Sequence, residues 1–354
     1  MERKIEYRQL AYILVLFILV QLLGLLTVFY FVPPQEIYSV PVSTAASYSA
    51  AEQALVFFAY IIIGTLILLA VFRFYHGVKI YAIIEGIVVV SASFYFFAIV
   101  LGSLFPQQSA MYYVLAASIA LPILLLYEKH RHPGLRNEVA IIASVGAGVV
   151  LGLVLSFFVA FIFMAIIAAY DYISVFVTRH MLTLGREAVN RNMALLIGSS
   201  DIELVPTSYI SKKELKQFKK QFKIASLKNA ELKKLIKKGA IPIPTQAALG
   251  TGDLALPLML AVSAYASLLS YFTAAVITSG AIIGLVFTMY MLKKYKIGLP
   301  AIPPLFAFIC IALGFVYLAN IEAAAGLFLI GIALILLMLR TAMKVANQRS
   351  RSVF

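Results

Sequence analysis

Apolar stretches of about 20 residues recur along the whole 354-residue chain, and nothing constrains its folding more than they do. A stretch of that length crosses a hydrocarbon core of roughly 30 Å as one helix. The stretches lie at approximately 10–32, 54–72, 80–104, 109–127, 139–178, 247–271, 274–292, 299–319 and 323–339. The fifth is about twice the length needed, so it reads as two helices with a turn near Ser156, which gives about ten spans. With 63% hydrophobic and only 12% charged residues, the chain cannot cover a soluble domain with polar surface. The fold class is an all-α polytopic membrane protein.

Basic residues collect on the cytoplasmic side of short membrane loops. Lys and Arg number 3 before the first span, 2 between the second and third, and 3 between the fourth and fifth. A further 14 lie between the sixth and seventh, 3 between the eighth and ninth, and 4 after the tenth, which accounts for all 29. Every basic residue thus falls on one face, which puts both termini in the cytoplasm and the protein in the cell membrane. The net charge of +14 is then a feature of topology, with anionic lipid headgroups at the cytoplasmic face as its partner and no nucleic acid. The opening "MERKIEYRQL AYILVLFILV" reads as a retained first helix rather than a cleaved signal. Cys310, the single cysteine, rules out an intrachain disulfide.

Four regions follow: helices one to six over 1–178, a basic loop over 179–246, helices seven to ten over 247–342, and a basic tail over 343–354. Within the loop, "SKKELKQFKKQFKIASLKNAELKKLIKKG" carries Leu215, Phe218, Phe222, Ala225, Leu232 and Ile236 near helical spacing among eleven lysines. Ser211 with Glu214 forms a capping box, and Gly239 stands where a helix would stop. The expectation is a basic amphipathic helix on the inner leaflet.

Three ionisable residues fall inside the spans: Glu85, read as near the inner interface, Asp171 and Asp253. A carboxylate at membrane depth costs at least a few kcal/mol, which marks it as functional by default. Asp171 precedes Arg179 by 8 residues and Asp253 follows Gln246 by 7, so both lie roughly 11–12 Å inward on antiparallel helices. Two carboxylates brought together at low dielectric cannot both ionise, and the pair holds one proton. That is the acid and base of an aspartic protease: one group takes a proton from water and the other gives one to the peptide carbonyl. No metal and no cofactor are required. Gly250 and Gly252 remove side chains beside Asp253 where a substrate backbone would approach. All four histidines, His76, His130, His132 and His180, fall in loops and no HExxH is present, so neither a zinc protease nor a serine protease with a histidine at membrane depth is supported.

"YD" at Tyr170 and Asp171, "GTGD" at Gly250, Thr251, Gly252 and Asp253, and "LPAIP" from Leu299 through Pro300, Ala301 and Ile302 to Pro303 stand on successive spans. In that order they resemble the YD, GxGD and PAL motifs of the presenilin and signal peptide peptidase family, and "TRHMLTL" at 178–184 is similar to archaeal presenilin homologues. The resemblance covers roughly spans one to nine. It implies a presenilin-like bundle of nine helices, here with a tenth, and intramembrane aspartyl proteolysis with Asp171 and Asp253 as the dyad. Tyr170, Gly250, Thr251, Gly252 and the Leu299, Pro300, Ala301 and Ile302 segment would support substrate and active site. Ile302 replaces the leucine of the motif, a volume-conserving change. Substrates would be single-span membrane proteins or remnant signal peptides.

Pro300, Pro303 and Pro304 independently disfavour a regular helix start, and irregular backbone at membrane depth belongs where it is buried or lines a wet cavity. The rival reading is a proton- or cation-coupled transporter using the same carboxylates, which an inverted repeat would favour; none is evident. A prepilin-type peptidase, which also carries a GxGD aspartate, ranks third.

Overall fold

A run that is apolar on every face belongs inside a bundle, and one helix has that character here. In the computed structural model, which describes residues 7–32, 78–177, 196–206, 240–295 and 299–351, with Ala194 and scattered positions between 49 and 64, that helix is Thr251–Leu268. Every residue from Leu254 to Tyr265 is buried along it. In chain order the helices are α1 (Tyr7–Phe31), α2 (Val78–Leu104), α3 (Met111–Arg131), α4 (Arg136–Val154), α5 (Phe157–Phe176), α6 (Thr251–Leu268), α7 (Tyr271–Tyr295), α8 (Ile302–Val316) and α9 (Ile321–Arg351). Among the described residues eight are long and apolar enough to span a membrane, and α8, with 15 residues, is the shorter one. The chain is therefore a polytopic all-α membrane protein. The expected second span, 54–72, lies outside the continuously described residues, as does the expected amphipathic helix.

By its contacts the chain divides into two units, one of residues 1–12 with 198–247 and one of 13–197 with 248–354. The second is the helical bundle. In it α6 packs against α4, α5 and α7, α8 lies between α7 and α9 and also meets α5, and α2 joins α3 to α4. The long fifth apolar run divides where Leu155 (φ −93°, ψ 130°) and Ser156 (φ −63°, ψ 156°) are extended and turn the chain back on itself. The Ser156 side chain does not cap α5; the Ser267 hydroxyl of α6 accepts the Phe157 N–H at 3.0 Å, tying the start of α5 to the end of α6. Two residues join α6 to α7, and so short a connection forces Leu269 into the left-handed region at φ 49°.

Helices in lipid gain little from the hydrophobic effect against one another, so close backbone approach has to hold them. A methyl group at Gly148 would lie 2.9 Å from the Ala255 carbonyl oxygen, and one at Gly152 2.7 Å from that of Met259. Two glycines four apart thus seat α4 directly on α6. Gly280 and Gly284 do the same for α7 on α8, where added methyls would meet the Phe308 carbonyl at 2.9 Å and Leu305 Cα at 2.7 Å. The final helix is seated likewise, with Gly331 against the Ala307 carbonyl and Phe328 edge-on to Phe315.

Glu85 of α2 is 3% exposed and forms an ion pair with Lys129 of α3, 5% exposed. The same carboxylate oxygen accepts the backbone N–H of Ala194 at 2.6 Å.

Most of a two-stranded sheet of β1 (Leu196–Pro206) and β2 (Ala240–Gly250) falls in the first unit. The sequence reading did not foresee it. Pro242 and Pro244 make the second segment look like a loop, yet prolines two apart withhold donors from one edge only, leaving the other able to pair.

Candidate active site

Asp171 interrupts the otherwise apolar α5 and is 6% exposed. Its partner is a backbone group from far along the chain: the Ile302 amide donates to Oδ2 at 3.3 Å. Helix starts leave their first amides without intrahelical acceptors. At the start of α8 the second and third positions are Pro303 and Pro304, which have no N–H. The Ile302 amide is therefore left to face the buried carboxylate, which also sits favourably at the positive end of the helix dipole. Leu299, Pro300 and Ala301 approach this point without helical structure, with Pro300 and Ala301 buried.

Asp253 is held differently. It occupies the third position of α6, and its Oδ2 accepts the Gly250 N–H at 3.2 Å, the half of a capping box that a glycine cap permits. A Cβ at position 250 would sit 3.1 Å from that oxygen, so any larger residue would crowd it. Gly250 has φ −66°, a value open to all residues, and its advantage is space. Gly252 is exposed and would meet nothing within 4 Å. Asp253 itself is only partly exposed.

The helices carrying these groups pack against one another, α5 on both α6 and α8. With α5 packed on α6, Asp171 and Asp253 are near enough for their charges to interact at low dielectric. Phe161 of α5 against Phe306 of α8, with ring centroids 5.1 Å apart, braces the same junction.

Of the residues singled out from sequence, Asp171, Asp253, Gly250 and Ile302 come together. Tyr170 stands beside them with its ring edge-on to Phe58 at 5.9 Å. Thr251 opens α6, and Leu299 packs toward Met291 and Ala342.

Two residues near the site escaped the sequence reading. Pro257 lacks the amide that would donate to the Asp253 carbonyl one turn back, which loosens the first turn of α6. Gln21 of α1, 0% exposed, supplies a donor from outside: its Nε2 bonds the adjacent Leu254 carbonyl at 2.9 Å. A lone uncharged amide in an apolar run carries no signal comparable to a carboxylate, whereas the proline four residues past Asp253 was visible.

The family described as signal-peptide peptidase, presenilin aspartyl protease matches residues 14–319. Among solved structures, one titled a presenilin family intramembrane aspartate protease in a C222 crystal form is similar over 86% of this chain and 94% of its own, with 18% identity and a TM-score of 0.53. A second crystal form under the same description, in P2, is 21% identical over 90% of this chain and 96% of its own, with a TM-score of 0.49. A comparison with curated proteins gave no match.

Proposed function

Because the chain belongs to the signal-peptide peptidase and presenilin family and is therefore an intramembrane aspartyl protease, we propose that Asp171 and Asp253 are its catalytic pair. What carries this reading is their placement: two carboxylates on adjacent packed helices, each anchored through one oxygen to a backbone amide, with their charges interacting. Transport by the same carboxylates is not favoured.

The pair holds one proton. The ionised carboxylate takes a proton from water as the water oxygen attacks the peptide carbonyl carbon, and the protonated partner gives its proton to the carbonyl oxygen. The gem-diol then collapses: the C–N bond breaks, a proton passes to the leaving nitrogen, and the pair again holds one proton. The open face at Gly252 admits a substrate backbone beside Asp253, and the buried Pro300, Ala301 and Ile302 segment orients Asp171. Tyr170, Thr251 and Leu299 border the cleft. Non-helical backbone at that depth is tolerated where it is buried or lines a wet cavity, and the reaction needs water to reach the pair through such a cavity.

The substrates in this reading are single-span membrane proteins. The one-sided distribution of all 29 basic residues supports cytoplasmic termini, contact with anionic headgroups and residence in the cell membrane. By the same count the segment 179–246 is on the cytoplasmic side.

The test is cleavage of a single-span substrate by the purified protein in detergent, with wild type beside Asp171→Ala and Asp253→Ala, and with an aspartyl protease inhibitor that mimics the tetrahedral intermediate. Each variant should lose about 10³-fold or more of the rate, and the inhibitor should stop the wild type. Substantial cleavage by either variant would refute the pair.

A further inference from the structure

We propose that Glu85 is a positioning residue, whose carboxylate anchors the backbone at Ala194 and thereby sets the start of β1. Oxygen Oε1 of Glu85 receives both the Lys129 ammonium and the Ala194 N–H, the latter at 2.6 Å, and so joins α2, α3 and a chain segment 109 residues away. All three residues are buried, with Ala194 at 0% exposure. A buried ion pair is commonly no more stabilising than apolar side chains of equal volume, so joining α2 to α3 does not explain this one. Accepting a backbone amide is the service an apolar pair could not perform. Ala194 lies two residues before β1, the partner strand β2 runs to Gly250, and the Gly250 amide holds Asp253. Strand register is all-or-none, because a slip of one residue turns every side chain over. An anchor at the entrance to β1 therefore bears, through the paired β2, on how the Gly250 amide is presented to Asp253. The link to activity rests on Asp253 being catalytic; the anchoring itself does not.

Two double variants of the full chain in detergent separate anchoring from charge balance. Glu85→Gln with Lys129→Met removes both charges and keeps a side-chain oxygen for Ala194. Glu85→Leu with Lys129→Met removes the charges and that oxygen. A role confined to packing predicts that the two behave alike. We expect similar melting temperatures, wild-type amide exchange over 192–206 in the first variant, and exchange there about tenfold faster in the second. Turnover of the test substrate should fall about tenfold in the second alone, with KM little changed, because the defect lies in placing Asp253. Equal exchange in the two variants would overturn the anchor, and unequal exchange with equal turnover would overturn its connection to Asp253. If a double variant does not fold, the wild-type Ala194 amide decides: protection comparable to the buried helices supports the anchor, and free exchange overturns it. Cleavage that survives Asp253→Ala would instead refute the catalytic pair and leave the exchange result standing.

Discussion

Asp171 meets α8 through a main-chain amide, so the side chain at position 302 is free to vary within its volume. Ile302 is 6% exposed, and leucine fills the same space at a cost below about 1.5 kcal/mol. Ile302→Leu should therefore cleave within about twofold of wild type and melt within a few degrees of it, as measured on the purified protein. The two aspartates that the structure places on packed helices stood out in the sequence because a carboxylate among apolar residues is costly, and Gly250 because it stands beside one of them. Gln21 did not, and neither did the partnership of Glu85 with Lys129, which depends on how α2 and α3 pack. What the sequence could not supply was the amide that meets Asp171, which depends on how α5 and α8 pack.

Among the elements, the apolar runs announced nearly every described helix, and the doubled run broke at Leu155 and Ser156, where a turn was expected. The glycine seams were present in the sequence as pairs four apart but gave no indication of which helix they face. They make a graded prediction. Gly152→Ala and Gly284→Ala push a methyl into a neighbouring helix and should destabilise the protein by about 1–3 kcal/mol. Gly284→Ala should also slow cleavage, because the helix it displaces begins with the amide at Asp171. Gly102→Ala in α2 meets nothing within 4 Å and should be neutral or slightly stabilising. Thermal unfolding in one detergent, with cleavage rates alongside, ranks all three. The sheet was the element least visible, because Pro242 and Pro244 disguise a strand whose pairing edge is intact.

For the molecule as a whole, the proposed sharing of one proton by two carboxylates predicts a rate that falls on both sides of an optimum. At low pH both groups are protonated and none can accept from water; at high pH both are ionised and none can donate to the carbonyl. The rate of substrate cleavage against pH should be bell-shaped, and a profile flat at either end would count against the pair. An intermediate-mimicking inhibitor at about 100 times its Kd should add about 2.7 kcal/mol to stability, read as a rise in melting temperature. That rise should vanish in Asp253→Ala.

The two carboxylates also differ in what else depends on them. Asp253 holds an amide three residues away on its own first turn, whereas Asp171 reaches an amide 131 residues along the chain and joins two helices. Truncation at 171 should therefore loosen the bundle whatever it does to the proposed catalysis, and a survey scored on protein abundance would register that position as part of the framework. Truncation at 253 disturbs one turn. For capturing a substrate on an intact enzyme, the proposed pair makes position 253 the one to change.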